Sequence, residues 1–192
     1  DCEKSMAELE IFQRAGGGAL VEGTAIDYGR DVLGVVDIAR SVSVHIVMVT
    51  GFNKGKFCPD WVREASVDQL ADIMIKDIAV GMDDTGFKAG VIKTGSWYNM
   101  VLPEEKKVTI AAAKAHLETG APIWVHTEVG TMGLEQLDIL ESEGVNPARV
   151  VVGHLDRNPD LQYHLKIARR GAYVGYDGPS KIKYYPDSVR IE

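Results

Sequence analysis

Three short apolar runs in this chain each end in a residue able to hold or bridge a metal ion. AGVIK ends at Lys93, APIWVH at His126 and ARVVVGH at His154. Imidazole suits zinc and its neighbours, and catalytic zinc sites pair such ligands with an open coordination position. Lys93 points to further chemistry. An ammonium at the end of an apolar strand is costly unless paired or neutralised, and desolvation lowers its pKa. A neutral amine can add carbon dioxide to give a carbamate, a carboxylate on a long arm able to bridge two ions. Two other readings of Lys93 stay open: an ordinary lysine paired with Asp27 or Asp177, and a Schiff-base lysine on an inner barrel strand. Asp156, in HLDRNPD, either supports the site by holding a ligand or passing a proton, or caps a loop. The other histidines stand elsewhere. His45 opens its strand, and His116 and His164 lie within helical patterns, where packing or solvation suffices.

Three ligand-type residues at matching strand ends converge only if the strands are parallel neighbours. The sequence supplies that arrangement. Strands are expected at Ala19–Asp27, Ser43–Thr50, Ala89–Lys93, Ile123–His126, Val150–His154 and Ala172–Asp177. Helical periodicity fills the intervals, most clearly from Pro103 to Thr119, with acids in its first turn and Gly120 after its end. Alternation of this kind implies a parallel α/β sheet with right-handed crossovers. An open doubly wound sheet usually carries a glycine-rich phosphate loop, and neither GxGxxG nor GxxxxGK[ST] occurs. The expected fold is a TIM (β/α)8 barrel with about six βα units in this chain, whose sites lie at the C-terminal strand ends. A full barrel takes about 250 residues, so residues 1–192 read as one incomplete barrel domain, an interior portion. The segment Gly178–Glu192 is expected to be loop.

A net charge of −7 argues against nucleic acid or an anionic membrane as partner. No apolar run approaches the roughly 20 residues of a membrane span. The first residues, DCEKSMAELE, lack a secretion signal's pattern, and Cys2 and Cys58 form neither a metal spacing nor a disulfide framework. The expected setting is the cytoplasm.

The segments AIDYGRDV, VHIVMVTGF, DTGFKAGVIKTG, ETGAPIWVHTE, ESEGVNPARVVVGHLDRNPD and RRGAYVGYDG resemble the phosphotriesterase family of the amidohydrolase superfamily, which includes phosphotriesterase-like lactonases and phosphotriesterase homology proteins. The order and spacing of Lys93, His126 and His154 match as well. The resemblance implies a binuclear metal hydrolase in which carboxylated Lys93 bridges two divalent ions, zinc first, with manganese or cobalt as alternatives. It implies that His126 and His154 hold the more exposed ion, and that a bridging hydroxide attacks a small-molecule lactone, carboxylic ester or phosphotriester. Family members often pair, so a homodimer is among the expectations. The chain departs from the pattern in having no HxH pair and no last-strand aspartate. Both are expected on about one βα unit missing at each end; their absence from the complete protein would favour a non-catalytic binding homologue, and a Schiff-base lyase using Lys93 is the third reading.

Phe57, Trp61, Trp97 and Tyr98 are expected in loops at the mouth, lining a pocket or closing the barrel top. Cys58 reads as inert; Glu128, two residues past His126, either faces the pocket or, as the preferred reading, is a solvated loop acid. Asp27 and Asp177 are expected to support the site or to pair with Arg30 and Lys181.

Overall fold

The computed structural model describes residues 2–179 and 181–191. In chain order the elements are α1 (Cys2–Arg14), β1 (Ala19–Glu22), α2 (Val32–Ser41), β2 (His45–Gly51), α3 (Asp60–Glu64), α4 (Val67–Ala79), β3 (Val91–Ser96), α5 (Pro103–Thr119), β4 (Ile123–Thr127), α6 (Gly133–Ser142), β5 (Val150–Val152), α7 (Leu161–Arg169), β6 (Tyr173–Val174) and α8 (Asp187–Ile191). The six strands pair in parallel in the order β1-β2-β3-β4-β5-β6. Strand neighbours in space are thus strand neighbours in sequence, and helices carry the chain from one to the next. This is the plan of a (β/α)8 barrel, with six strands of it present.

Side chains alternate across each strand, and the alternation separates core from site. Ile92, Ile123, Val125, Val150 and Val152 face the helices and pack with Val108, Ala111, Leu137, Leu140 and Ile167 into one core. The intervening positions, Lys93, Trp124 and His126, face the barrel interior. Register aligns Lys93 with Trp124 and Gly95 with His126. An apolar cavity of about 200 Å³, lined by Val21, Val91, Pro122, Trp124 and Val151 among others, lies on this inner face.

Helix starts follow local chemistry. Ser66 and Gln69 form a reciprocal capping box at α4, and Asp31 and Asp160 cap α2 and α7 with their carboxylates. Glu105, in the first turn of α5, does more. Fully buried, it accepts the backbone N–H groups of Gly55 (2.9 Å), Trp97 (3.1 Å) and Leu102 (2.7 Å), tying two mouth loops to the helix.

Several boundaries differ from expectation. β1 ends at Glu22, and β6 holds only Tyr173 and Val174. β5 stops at Val152, so His154 follows its strand by two residues. Within the expected terminal loop, α8 forms at Asp187–Ile191; Ser180 and Glu192 of that segment lie outside the described residues. Arg30 pairs with Asp77 (2.7 Å) and Asp83 (2.6 Å), not with Asp27, because Asp77 is buried beneath it. No helix among the described residues is long and apolar enough to cross a membrane.

Candidate functional site

Lys93 sits mid-strand on β3 and is 3% exposed. Its Nζ lies 3.5 Å from the centroid of the Trp124 ring. Burial pushes the amine down to about 7, an effect partly offset by the charge of Asp177 and reinforced by that of Arg157. A large share of the side chain is therefore a neutral amine at neutral pH, as carbamate formation requires. Neither Asp27 nor Asp177 forms an ion pair with it among the described residues. Asp27 instead accepts the N–H of Asn53 at 2.9 Å, and burial raises its pKa.

His126 projects inward near the end of β4 and is 7% exposed. Three contacts fix this strand end. Gln136 of α6, fully buried, donates to the Ser96 hydroxyl (2.8 Å) and to the His126 carbonyl (3.1 Å). The Thr127 hydroxyl donates to the Gly153 carbonyl at 2.7 Å. Opposite His126, position 95 admits only glycine: a Cβ there would lie 1.9 Å from the Asn53 carbonyl oxygen and 2.9 Å from the His126 Cβ.

His154 adopts the left-handed conformation, φ 64° and ψ 20°. That turn brings its ring edge to face with His126, the centroids 4.6 Å apart. Such conformations are uncommon outside glycine and are worth a functional question where they occur.

Each imidazole spends one nitrogen on a carboxylate. His126 Nε2 lies 3.2 Å from Glu128 Oε2, and His154 Nδ1 lies 2.7 Å from Asp177 Oδ1. Burial pushes His126 down to about 4 and also lowers His154, so both rings are neutral at neutral pH. The His126 hydrogen bond and the nearby Lys54 hold Glu128 down at about 2. Burial alone would raise Asp177, but its hydrogen bond with His154 and the charge of Arg157 outweigh that and lower it. Neutral rings donating to carboxylates leave His126 Nδ1 and His154 Nε2 with free lone pairs. Asp156 is buried and accepts the Asp177 N–H at 3.1 Å, with Arg190 Nε 3.5 Å from its other oxygen.

The donor set suits a divalent ion: two neutral imidazoles with free nitrogens beside an amine able to become a carboxylate. Among the described residues, no group of three or more His, Cys, Asp or Glu side chains is placed to hold a metal. A third donor would have to come from modified Lys93 or from outside these residues.

Of the sequence-predicted residues, Lys93 and His126 share the inner face, and His154 joins them through its turn. Asp156 stands behind Asp177. His116 bonds the Ala121 carbonyl (2.7 Å) and His164 the Tyr176 hydroxyl (2.6 Å), both structural roles. Burial raises the Cys58 thiol to about 12, which disfavours the thiolate. Glu128, expected to be a solvated acid, instead bridges His126 and Lys54. Residue spacing did not reveal this, because β4 ends at Thr127 and Glu128 opens the turn that follows.

Comparison with known proteins agrees with this architecture. The family model for the phosphotriesterase family matches residues 2–192. The chain is 40% identical over 185 residues to the phosphotriesterase homology protein of Escherichia coli, covering 96% of this chain and 63% of that one. It is 34% identical over 207 residues to a phospho-furanose lactonase of Mycoplasmopsis synoviae, covering 99% of this chain and 59% of that protein. A crystal structure of a lactonase from Listeria monocytogenes superposes with a TM-score of 0.96 at 40% identity, covering 100% of this chain and 64% of that one. The chain thus spans about six-tenths of the length of the curated relatives it matches. With its consecutive parallel strands and its match along nearly every residue, the chain belongs to the phosphotriesterase family.

Proposed function

We propose that the protein is a metal-dependent hydrolase of small-molecule lactones, carboxylic esters or phosphotriesters. The observation that carries this is the pair of carboxylate-bound imidazoles, His126 and His154, beside a buried, largely neutral Lys93. Relatives named as a phospho-furanose lactonase and an aryldialkylphosphatase support the substrate range.

In this reading His126 Nδ1 and His154 Nε2 would hold a divalent ion, and the Lys93 amine, on adding carbon dioxide and releasing a proton, would become a carbamate able to supply a further carboxylate ligand. Bound divalent ions supply Lewis acidity and lower the pKa of a water molecule toward neutrality. Zinc is the first choice, with manganese or cobalt as alternatives. Trp124 forms the floor beneath Lys93 and keeps water from the amine. Asp177 holds the proton on His154 Nδ1 and thereby fixes its tautomer. Asp156 acts through Asp177, whose backbone N–H it accepts. Phe57 and Tyr98, about half exposed, are the aromatic candidates to meet the substrate.

Hydrolysis that a chelator abolishes and zinc, manganese or cobalt restores is the expected result. Lys93→Ala should abolish turnover, whereas His116→Ala should leave the activity of the folded protein nearly intact. Equal damage from both would place the site elsewhere. A second reading, a Schiff-base lyase, is favoured by the neutral amine alone. A chelator-resistant activity with a borohydride-trapped adduct on Lys93 would select it.

A further inference from the structure

We propose that Glu128 is a positioning residue for the metal site: anchored by Lys54, its carboxylate grips His126 Nε2 and so turns Nδ1 toward the ion. This rests on the metal-hydrolase reading above. Metal-binding histidines generally donate their second ring N–H to a carboxylate or carbonyl, which sets tautomer and ring direction. For His126 that partner is Glu128, at 3.2 Å. The same oxygen, Oε2, also receives the Lys54 ammonium. Lys54 is itself held in place, its Nζ 5.0 Å from the Trp97 ring centroid and 5.5 Å from that of Phe57.

The backbone around Glu128 is built to keep it there. Val129 sits at φ 54° and ψ 34°, a region that a β-branched residue rarely enters and that is strained for it. The Thr131 hydroxyl donates to the Glu128 carbonyl (2.8 Å) while accepting the Asn99 N–H (3.0 Å). Asn158 Nδ2 donates to the Gly130 carbonyl at 3.2 Å. The turn is therefore tied to the loop after β3 and to the loop after β5. Lys54 adds the loop after β2, so three mouth loops converge on the turn that carries Glu128. Were Glu128 only a solvated surface acid, neither the strained turn nor the shared oxygen would have a purpose.

The test uses the full chain and two readouts. Long-range proton–nitrogen NMR of the metal-free protein should show His126 protonated at Nε2, and Glu128→Ala should remove that tautomer preference. In a chelator competition, Glu128→Ala should weaken zinc binding by about 10–100-fold. Lys54→Met should weaken it less, and Lys54→Arg should restore it. His126→Ala is the reference. If it weakens zinc binding while Glu128→Ala changes neither the tautomer nor the affinity, the positioning role is wrong and the metal reading stands. Glu128→Gln as damaging as His126→Ala would make Glu128 a ligand, which also overturns positioning. If His126→Ala leaves zinc binding unchanged, the metal reading itself fails and takes the positioning role with it.

Discussion

The rings of His126 and His154 meet edge to face at an interplanar angle of 76° and a centroid separation of 4.6 Å, each fixed from behind by its own carboxylate. Residues in direct contact do not contribute independently. A zinc-affinity cycle built from His126→Ala, His154→Ala and the double variant should therefore close with a coupling energy of about 0.5–3 kcal/mol. Strict additivity would mean that the rings serve different sites.

Lys93 makes stability depend on alkaline pH in the metal-free protein. Its folded pKa is lowered to about 7, against about 10.4 in an unfolded chain. Between those values the unfolded state binds more protons, so stability rises with pH. The contribution is fully present above the unfolded value and is lost as pH falls through the folded one. Each pH unit in the window adds at most about 1.4 kcal/mol. Denaturant titrations from pH 7 to 10 should show this rise, and Lys93→Met should flatten it.

Gly95→Ala should be damaging although it adds one methyl group. The new carbon would meet the Asn53 carbonyl oxygen at 1.9 Å and the His126 Cβ at 2.9 Å. Overpacking of this kind costs about 1–3 kcal/mol, and here the displaced group is a candidate ligand. Thermal unfolding should register the first effect and zinc competition the second. Unchanged zinc affinity in a destabilised variant would separate strand packing from the site.

Glu105→Ala should cost about 3 kcal/mol or more, because it strands backbone N–H groups of Gly55, Trp97 and Leu102 that a carboxylate now accepts. Glu105→Gln should cost less, since an amide oxygen still accepts. Hydrogen exchange should localise the loosening to residues 52–58 and 97–102. Loosening spread evenly through the sheet would contradict this assignment.

Much of this was legible in the sequence. The apolar runs closing on Lys93 and His126 marked both strands and both residues, although Lys93 falls mid-strand on β3 and pairs with Trp124, two positions before His126. Pro103, Glu104 and Gly120 bounded α5 correctly. The conformation of His154 was not legible: it depends on β5 ending at Val152 and on the left-handed turn that follows, which the apolar run ARVVVGH conceals. Charge partners were harder still. Arg30 reaches Asp77 and Asp83 across some fifty residues, and Lys54 reaches Glu128 across 74. Such pairings are set by how loops fold back over the mouth, which residue spacing does not encode.

Trp124 is threaded so tightly through the interior that a methyl added at Gly23 or at Gly153 would collide with its ring. Its indole consequently abuts the ends of two other strands while sitting beneath the Lys93 amine. With Trp61 and Trp97 replaced by Phe, Trp124 would be the one tryptophan left, and its emission should change with the charge above it. That ring would then serve, in place, as a gauge of the charge on the Lys93 amine.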